Sequence, residues 1–114
     1  MRRIHCVLLA LLLAVGCGAC GNKQEKPKHL LSEQQMVDVL TDAYLIEASL
    51  NVKKNSGEPV GSLETAYYDQ LFEHYGITDT ILEENMRYYT RYPAVLEGIM
   101  DSVAVRLENA SREP

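Results

Sequence analysis

The spacing of apolar residues predicts four helices after residue 30. Apolar positions recur every three or four residues, and no segment keeps the alternation of period two that marks a half-buried strand. Glycines and a proline interrupt the pattern at residues 54–61. The fold class is therefore all-α, with about four helices in a small bundle. The predicted helices span residues 33–53, 63–75, 79–92 and 93–109.

Residues near these boundaries have the chemistry of helix ends. Ser32 is a predicted N-cap, and a glutamine three residues later completes a capping box. Ser62 and Thr78 are the predicted N-caps of the second and third helices, and Gly76 ends the second. Pro93 takes the first position of the fourth helix, where its missing N–H breaks no helical hydrogen bond.

Two polar residues fall inside otherwise apolar helix faces. Glu47 lies in the middle of the apolar arc of the first helix, and Asn85 has the same position on the third. A buried carboxylate must be hydrogen-bonded, paired or partly neutral. We expect Glu47 to meet Asn85, a tyrosine hydroxyl or an arginine. Glu47 and its partner would form either a polar site at the base of a groove or a structural network that fixes helix register. A third alternative is that Glu47 is exposed.

Tyrosines supply nearly all of the aromatic side chains. The chain has seven tyrosines, one phenylalanine and no tryptophan. A tyrosine combines a large apolar ring with a polar tip, which suits both a binding surface and the edge of a small core. We predict that Tyr88, Tyr89 and Tyr92, which share one side of the third helix, either close the core or bind a peptide or glycan.

The N-terminal stretch has the organisation of a bacterial signal peptide. Nine apolar residues (7–15) follow two arginines, and this run is too short to span a bilayer. Residues 13–17 (LAVGC) resemble a lipobox, in which a signal peptidase cuts before a lipid-modified cysteine. Cys17 is therefore the predicted lipidation site, and Cys20 is the alternative. The prediction is a protein held by its lipid anchor in the cell envelope, at the outer membrane and facing the periplasm.

Four segments follow from this organisation. Residues 1–16 are the predicted signal peptide, 17–29 the lipidated cysteine with a flexible tether, 30–109 the helical domain and 110–114 a disordered tail. No cysteine follows Cys20, so no disulfide stabilises the domain.

Charge differs between the tether and the domain. The tether has a net charge of +2, whereas the chain from residue 30 onward has six Lys/Arg and fifteen Asp/Glu, a net charge of −9. An acidic domain is a poor partner for nucleic acid, since binding there requires neutralised phosphates. His29 and His74 are isolated in the sequence, and no catalytic motif occurs. We therefore predict no cofactor, no metal, no catalytic residue and no nucleic-acid partner.

Several segments resemble a known family. Residues 40–48 (LTDAYLIEA), 75–78 (YGIT) and 82–89 (LEENMRYY), with the downstream Pro93, are similar to domain of unknown function family 4296, whose members are small bacterial lipoproteins. The resemblance covers about residues 30–107 and implies no activity. Leu82 and Asn85 stand where the family pattern usually has an aromatic residue and a serine, so no role tied to that serine carries over.

The leading functional hypothesis is a membrane-anchored helical interaction module of the cell envelope. It would bind a protein, peptide or glycan through the Tyr88, Tyr89 and Tyr92 side or through a groove near Glu47. One alternative is a small envelope hydrolase that uses Glu47 as its acid or base. Another is a chaperone-like holder of exported chains, which requires an open apolar groove.

Overall fold

The computed structural model describes residues 26–113, and within them the chain forms four helices and no strand. The predicted all-α fold is confirmed. The predicted signal peptide, Cys17 and Cys20 lie outside the described residues. The helices are α1 (Glu33–Asn55), α2 (Gly61–Tyr75), α3 (Asp79–Tyr89) and α4 (Pro93–Arg112).

Local chemistry explains three of the helix ends. The capping box at α1 is formed, because the Gln35 N–H donates to Ser32 Oγ at 3.1 Å and the Ser32 N–H donates to Gln35 Oε1 at 2.8 Å. Thr78 caps α3 by accepting a hydrogen bond from the Ile81 N–H at 3.2 Å. Gly76 ends α2 with a φ of 62°, a left-handed conformation that glycine adopts without a steric penalty.

Two predicted helix boundaries were wrong, namely the start of α2 and the end of α3. Helix α2 begins at Gly61 and has Val60 as its N-cap, so Ser62 lies in its first turn and does not cap it. Helix α3 ends at Tyr89 and does not continue to Tyr92. A proline disfavours helical backbone at the preceding residue, and Tyr92, before Pro93, accordingly has a ψ of 74°.

Helix α4 is longer than predicted. It ends at Arg112, so residues 110–112 of the predicted disordered tail are helical. Arg112 forms an ion pair with Glu108 one turn earlier, and the Ser111 hydroxyl donates to the Glu108 carbonyl at 2.7 Å. These contacts support the last turn of the helix.

Helix α1 is the central element of the domain. It packs against α4 and α2, while α3 packs against α4. Helix α2 is antiparallel to α1, because Tyr75 near its end reaches Asp42 and the earlier Tyr68 reaches Glu47. Helix α4 runs in the same direction as α1, since Val95 lies beside Glu33 and Arg106 pairs with Asp38.

The main hydrophobic core surrounds the N-terminal half of α1. The linker before α1, α1 itself, α3 and α4 all contribute to it. Leu50 of α1 and Leu71 of α2 are also buried, and both lie outside this cluster. Within residues 26–113, no helix is both long and apolar enough to cross a membrane. The buried core residues are Leu31, Met36, Val37, Leu40, Tyr89, Ile99 and Val103.

Candidate functional site

Asn85 and Tyr89 of α3 hold the backbone that leads into α1. Asn85 is fully buried, and its Oδ1 accepts the Leu31 N–H at 2.8 Å. Its Nδ2 donates to the carbonyls of His29 at 2.7 Å and Ile81 at 2.9 Å. The Tyr89 hydroxyl donates to the Leu31 carbonyl at 2.6 Å. We call this arrangement of Asn85, Tyr89 and residues 29–31 the clasp.

Asn85 uses both of its amide N–H donors and one of the two lone pairs of Oδ1 in the clasp. One amide oxygen meets a donor and one amide nitrogen meets two carbonyls, so only this orientation of the Asn85 side chain satisfies all three partners. Asn85 therefore lies in the buried position that its place in the apolar arc suggested. It bonds to the chain before α1 and does not meet Glu47, so the predicted Glu47–Asn85 contact is absent.

Glu47 is exposed, which is the third of the alternatives given for it, although its helical angle lies within the apolar arc of α1. Among its predicted partners, the tyrosine was the correct one, because the Tyr68 hydroxyl donates to Glu47 Oε1 at 2.5 Å. Burial, together with this hydrogen bond, raises the pKa of Tyr68 to about 12. Glu47 lies on the C-terminal half of α1, which α3 does not cover. It is therefore a surface carboxylate that ties α1 to α2.

The three candidate tyrosines of the α3 region have different environments. Tyr89 is buried in the core, Tyr88 is half-buried and Tyr92 is 47% exposed. The Tyr88 ring stands edge-on to Tyr89 at 5.2 Å between centroids and is tilted against Tyr92 at 5.1 Å. A cavity of about 210 Å³ lies beside them, with Leu30 and Glu33 in its wall. One of the three tyrosines thus belongs to the core, one to its edge and one to the exposed surface.

Basic side chains surround a second cavity on the same side of α3. It measures about 380 Å³, and its charged lining consists of Lys26, Lys28, Arg87, Arg91 and one acidic residue, Glu84. Tyr88 and Pro27 complete the lining. We call this surface, together with the neighbouring Tyr92 and Leu30, the tether face, because it contains Lys26 and Lys28 of the predicted tether. The basic charge of the tether is visible in the sequence, whereas its proximity to Arg87 and Arg91 depends on how the linker packs on α3.

A third concavity, which the sequence analysis missed, lies between α1 and α2. This α1–α2 groove measures about 390 Å³ and has a largely apolar lining. Leu45 stands at its edge and is 43% exposed. An apolar residue outside the main arc of α1 was the available signal, since Leu45 had no predicted partner. The lining residues are Asp42, Leu45, Ile46, Ser49, Tyr67, Gln70, Leu71 and His74.

Polar contacts between helices flank this groove. The Tyr75 hydroxyl donates to Asp42 Oδ2 at 2.5 Å and to the Asp38 carbonyl at 3.2 Å. Burial, together with the hydrogen bond to Asp42, raises the pKa of Tyr75. Asp38 also pairs with Arg106 of α4. Asp38 and Asp42 therefore join α1 to its two neighbours.

Metal-binding side chains do not gather within the described part of the chain. No group of three or more His, Cys, Asp or Glu residues has a suitable arrangement among residues 26–113. The predicted lipidation cysteines lie outside this range.

A family comparison connects this geometry to known sequences. The family model DUF4296, described as a domain of unknown function, matches residues 27–113. The chain belongs to the DUF4296 family. The match begins just before the clasp and continues through the last turn of α4, so it covers all four helices of the DUF4296 domain. Comparisons with curated proteins and with solved structures give no match.

Proposed function

We propose that this DUF4296 protein is a lipid-anchored interaction module of the bacterial cell envelope that binds a protein segment in its α1–α2 groove. The observation that carries the proposal is the open, largely apolar lining of that groove, which includes the exposed Leu45. Exposed apolar surface with a polar rim is the usual character of a protein-binding site. Helices α1 and α2 form the two walls of the groove. An amphipathic helix can bind between two such walls.

The charge of the surrounding helices selects the type of partner. Helices α1 and α2 together have seven Asp/Glu and two lysines, and both lysines (Lys53 and Lys54) lie in the last turn of α1 and do not line the groove. A partner with basic residues on either side of an apolar stripe would complement this surface. The proposed partner is therefore a basic amphipathic helix. Tyr88, Tyr89 and Tyr92 lie at the other end of α1 and take no part in this binding.

The envelope location depends on the N-terminal lipid anchor. The LAVGC segment and the preceding apolar run support lipidation of Cys17, with Cys20 as the alternative, and a position at the outer membrane facing the periplasm. Cys17→Ser is expected to move the protein from the membrane fraction to the soluble fraction. Retention of that variant, with release of Cys20→Ser, would reassign the anchor to Cys20.

A model peptide tests the groove directly. An 18-residue helix with leucines on one face and lysines on the other should bind, and the same helix with glutamates should not. Leu45→Ala removes apolar contact from the groove and should weaken binding of the lysine peptide by about tenfold, equivalent to about 1.4 kcal/mol. Fluorescence anisotropy of labelled peptide measures the change.

Val52→Ala is the matched control, because Val52 is 68% exposed on α1 and does not line the groove. The affinity of the Val52→Ala variant for the lysine peptide should equal that of the unmodified protein. Equal weakening by both substitutions, or equal binding of the two peptides, would contradict the proposed site.

The same open groove gives some support to chaperone-like holding of exported chains. A holder would bind unfolded segments with little regard to their charge, so equal capture of the lysine and glutamate peptides would favour it. The hydrolase alternative required Glu47 to lie in an accessible pocket, and it has less support, because Glu47 is exposed and does not line the α1–α2 groove.

A further inference from the structure

We propose that the tether face docks on the anionic headgroups of the membrane that holds the lipid anchor, and that this contact sets the orientation of the domain. The ligand chemistry is the lipid phosphate, and the binding groups are Lys26, Lys28, Arg87 and Arg91. The inference rests on the anchoring part of the proposed function. It does not depend on the α1–α2 groove.

The clasp makes the tether face a fixed structure. Asn85 and Tyr89 bond to the backbone at His29 and Leu31, so the segment that carries Lys26 and Lys28 begins from a defined point on α3. Four positive charges from two distant parts of the sequence are thereby held around one cavity. A loose tether would not keep its lysines beside Arg87 and Arg91.

Positive charge is concentrated at this face. Residues 26–113 contain eight Lys/Arg, and four of them line this one cavity. Glu84 also lines the cavity, and Glu83 pairs with Arg87 at 3.0 Å on a well-exposed surface. Exposed ion pairs of this kind are weak, so the Arg87 guanidinium can exchange Glu83 for a phosphate. The net charge of the face stays positive within a strongly acidic domain.

Apolar and amphipathic side chains next to the basic cluster suit the membrane interface. Tyr92 is 47% exposed and Leu30 is 39% exposed, and both line the neighbouring cavity. A tyrosine ring is favoured at headgroup depth, where its hydroxyl stays hydrated. Basic residues near an anionic bilayer each contribute about 1 kcal/mol at close range.

Covalent connection places this face near the bilayer. Lys26 is nine positions after Cys17 and six positions after Cys20 in the sequence. A fully extended chain spans at most about 3.5 Å per residue, so Lys26 lies within about 32 Å of the anchor. The tether face is the part of the domain that meets the membrane at the smallest cost in chain entropy.

Hydrogen exchange of the lipid-anchored protein on vesicles tests the docking. The full protein is reconstituted on phosphatidylcholine vesicles with or without phosphatidylglycerol, and exchange is followed at residues 26–31 and 84–92. These segments should exchange more slowly on the anionic vesicles only, and 1 M salt should remove the difference. Flotation with the phosphatidylcholine vesicles reports the anchor independently.

Paired charge removals distinguish docking from general attraction. Arg87→Gln with Arg91→Gln should lower the ratio of docked to undocked domain by about 25-fold, or about fivefold for each residue. Lys53→Gln with Lys54→Gln removes the same charge at the opposite end of α1 and should leave the protection unchanged. A protein that floats with both vesicle types but exchanges identically on them overturns the docking alone. A protein that floats with neither lacks the anchor, which contradicts the envelope function and this inference together.

Discussion

The two ends of α1 have opposite structural roles. Around its N-terminal half, the clasp, α3 and α4 bury apolar side chains and satisfy the hydrogen bonds of Asn85. Around its C-terminal half, α2 is the main neighbour, and Tyr44, Leu45 and Val52 stay exposed. Buried apolar and polar contacts are therefore concentrated at one end, and the apolar groove proposed for a partner helix lies toward the other. The proposed groove would leave the main core covered, because the core and the groove use different turns of one helix.

Removing the Asn85 side chain should have the largest effect on stability. Asn85→Ala leaves the buried Leu31 N–H and neighbouring carbonyls without their partner, and each unsatisfied group costs about 1–3 kcal/mol. We expect a loss of about 2–4 kcal/mol in the free energy of unfolding, measured by urea denaturation. Asn51→Ala, at an exposed position on α1, should change it by less than about 0.5 kcal/mol. Similar values for the two variants would mean that the clasp does not hold the core end together.

Alkaline pH should lower the stability of the fold through the α1–α2 contacts of Tyr68 and Tyr75. In the unfolded chain, Tyr68 and Tyr75 ionise near their ordinary pKa of about 10. In the folded domain, burial and hydrogen bonds to Glu47 and Asp42 raise the pKa of both, that of Tyr68 to about 12. Above pH 10 the unfolded state therefore releases protons that the folded state retains, so stability is complete below pH 10 and decreases between about pH 10 and 12.

Substitution of both tyrosines isolates their share of this pH dependence. Tyr68→Phe with Tyr75→Phe should flatten the decrease in the urea midpoint between pH 10 and 12. Burial also raises the pKa of Tyr89, so part of the decrease should remain. An unchanged slope in the double variant would show that the α1–α2 contacts do not carry the effect.

Glu47 should have the smallest effect of the three. Its contact with Tyr68 lies on an exposed surface, where one hydrogen bond to a charged group contributes little. Glu47→Ala is expected to lower the free energy of unfolding by less than about 1 kcal/mol. Glu47→Gln, which keeps an acceptor for Tyr68, should change it still less. If thermal unfolding showed that Glu47→Ala lowers the free energy of unfolding by more than about 2 kcal/mol, Glu47 would have to be buried, contrary to the structure.

Local sequence chemistry determined most of the fold. Ser32, Thr78 and Gly76 mark helix ends through hydrogen bonds and backbone conformations that depend only on near neighbours, and those boundaries were predicted correctly. The buried position of Asn85 was also visible, because a polar residue inside an apolar face has few alternatives.

The site could be predicted only in part. A helical wheel gives the direction of Glu47 around the axis of α1 but not which turns of α1 a neighbour covers. Helices α3 and α4 pack on the N-terminal half, so Glu47 is exposed although its angle matches buried Met36 and Leu40. The α1–α2 groove and the tether face each combine residues from separate helices or segments. Their existence depends on helix directions, which periodicity does not report.

The clasp also determines how a mechanical load enters the domain. A pull on the proposed anchor reaches the folded chain at His29, and Asn85 and Tyr89 pass it directly to α3 at positions 54–58 residues away in the sequence. The first turn of α1 is therefore shielded from the force and does not unwind first. Several hydrogen bonds and the packed Leu31 side chain must give way together before the helix is strained. One buried asparagine and one tyrosine therefore reinforce the point at which such a load would enter the fold.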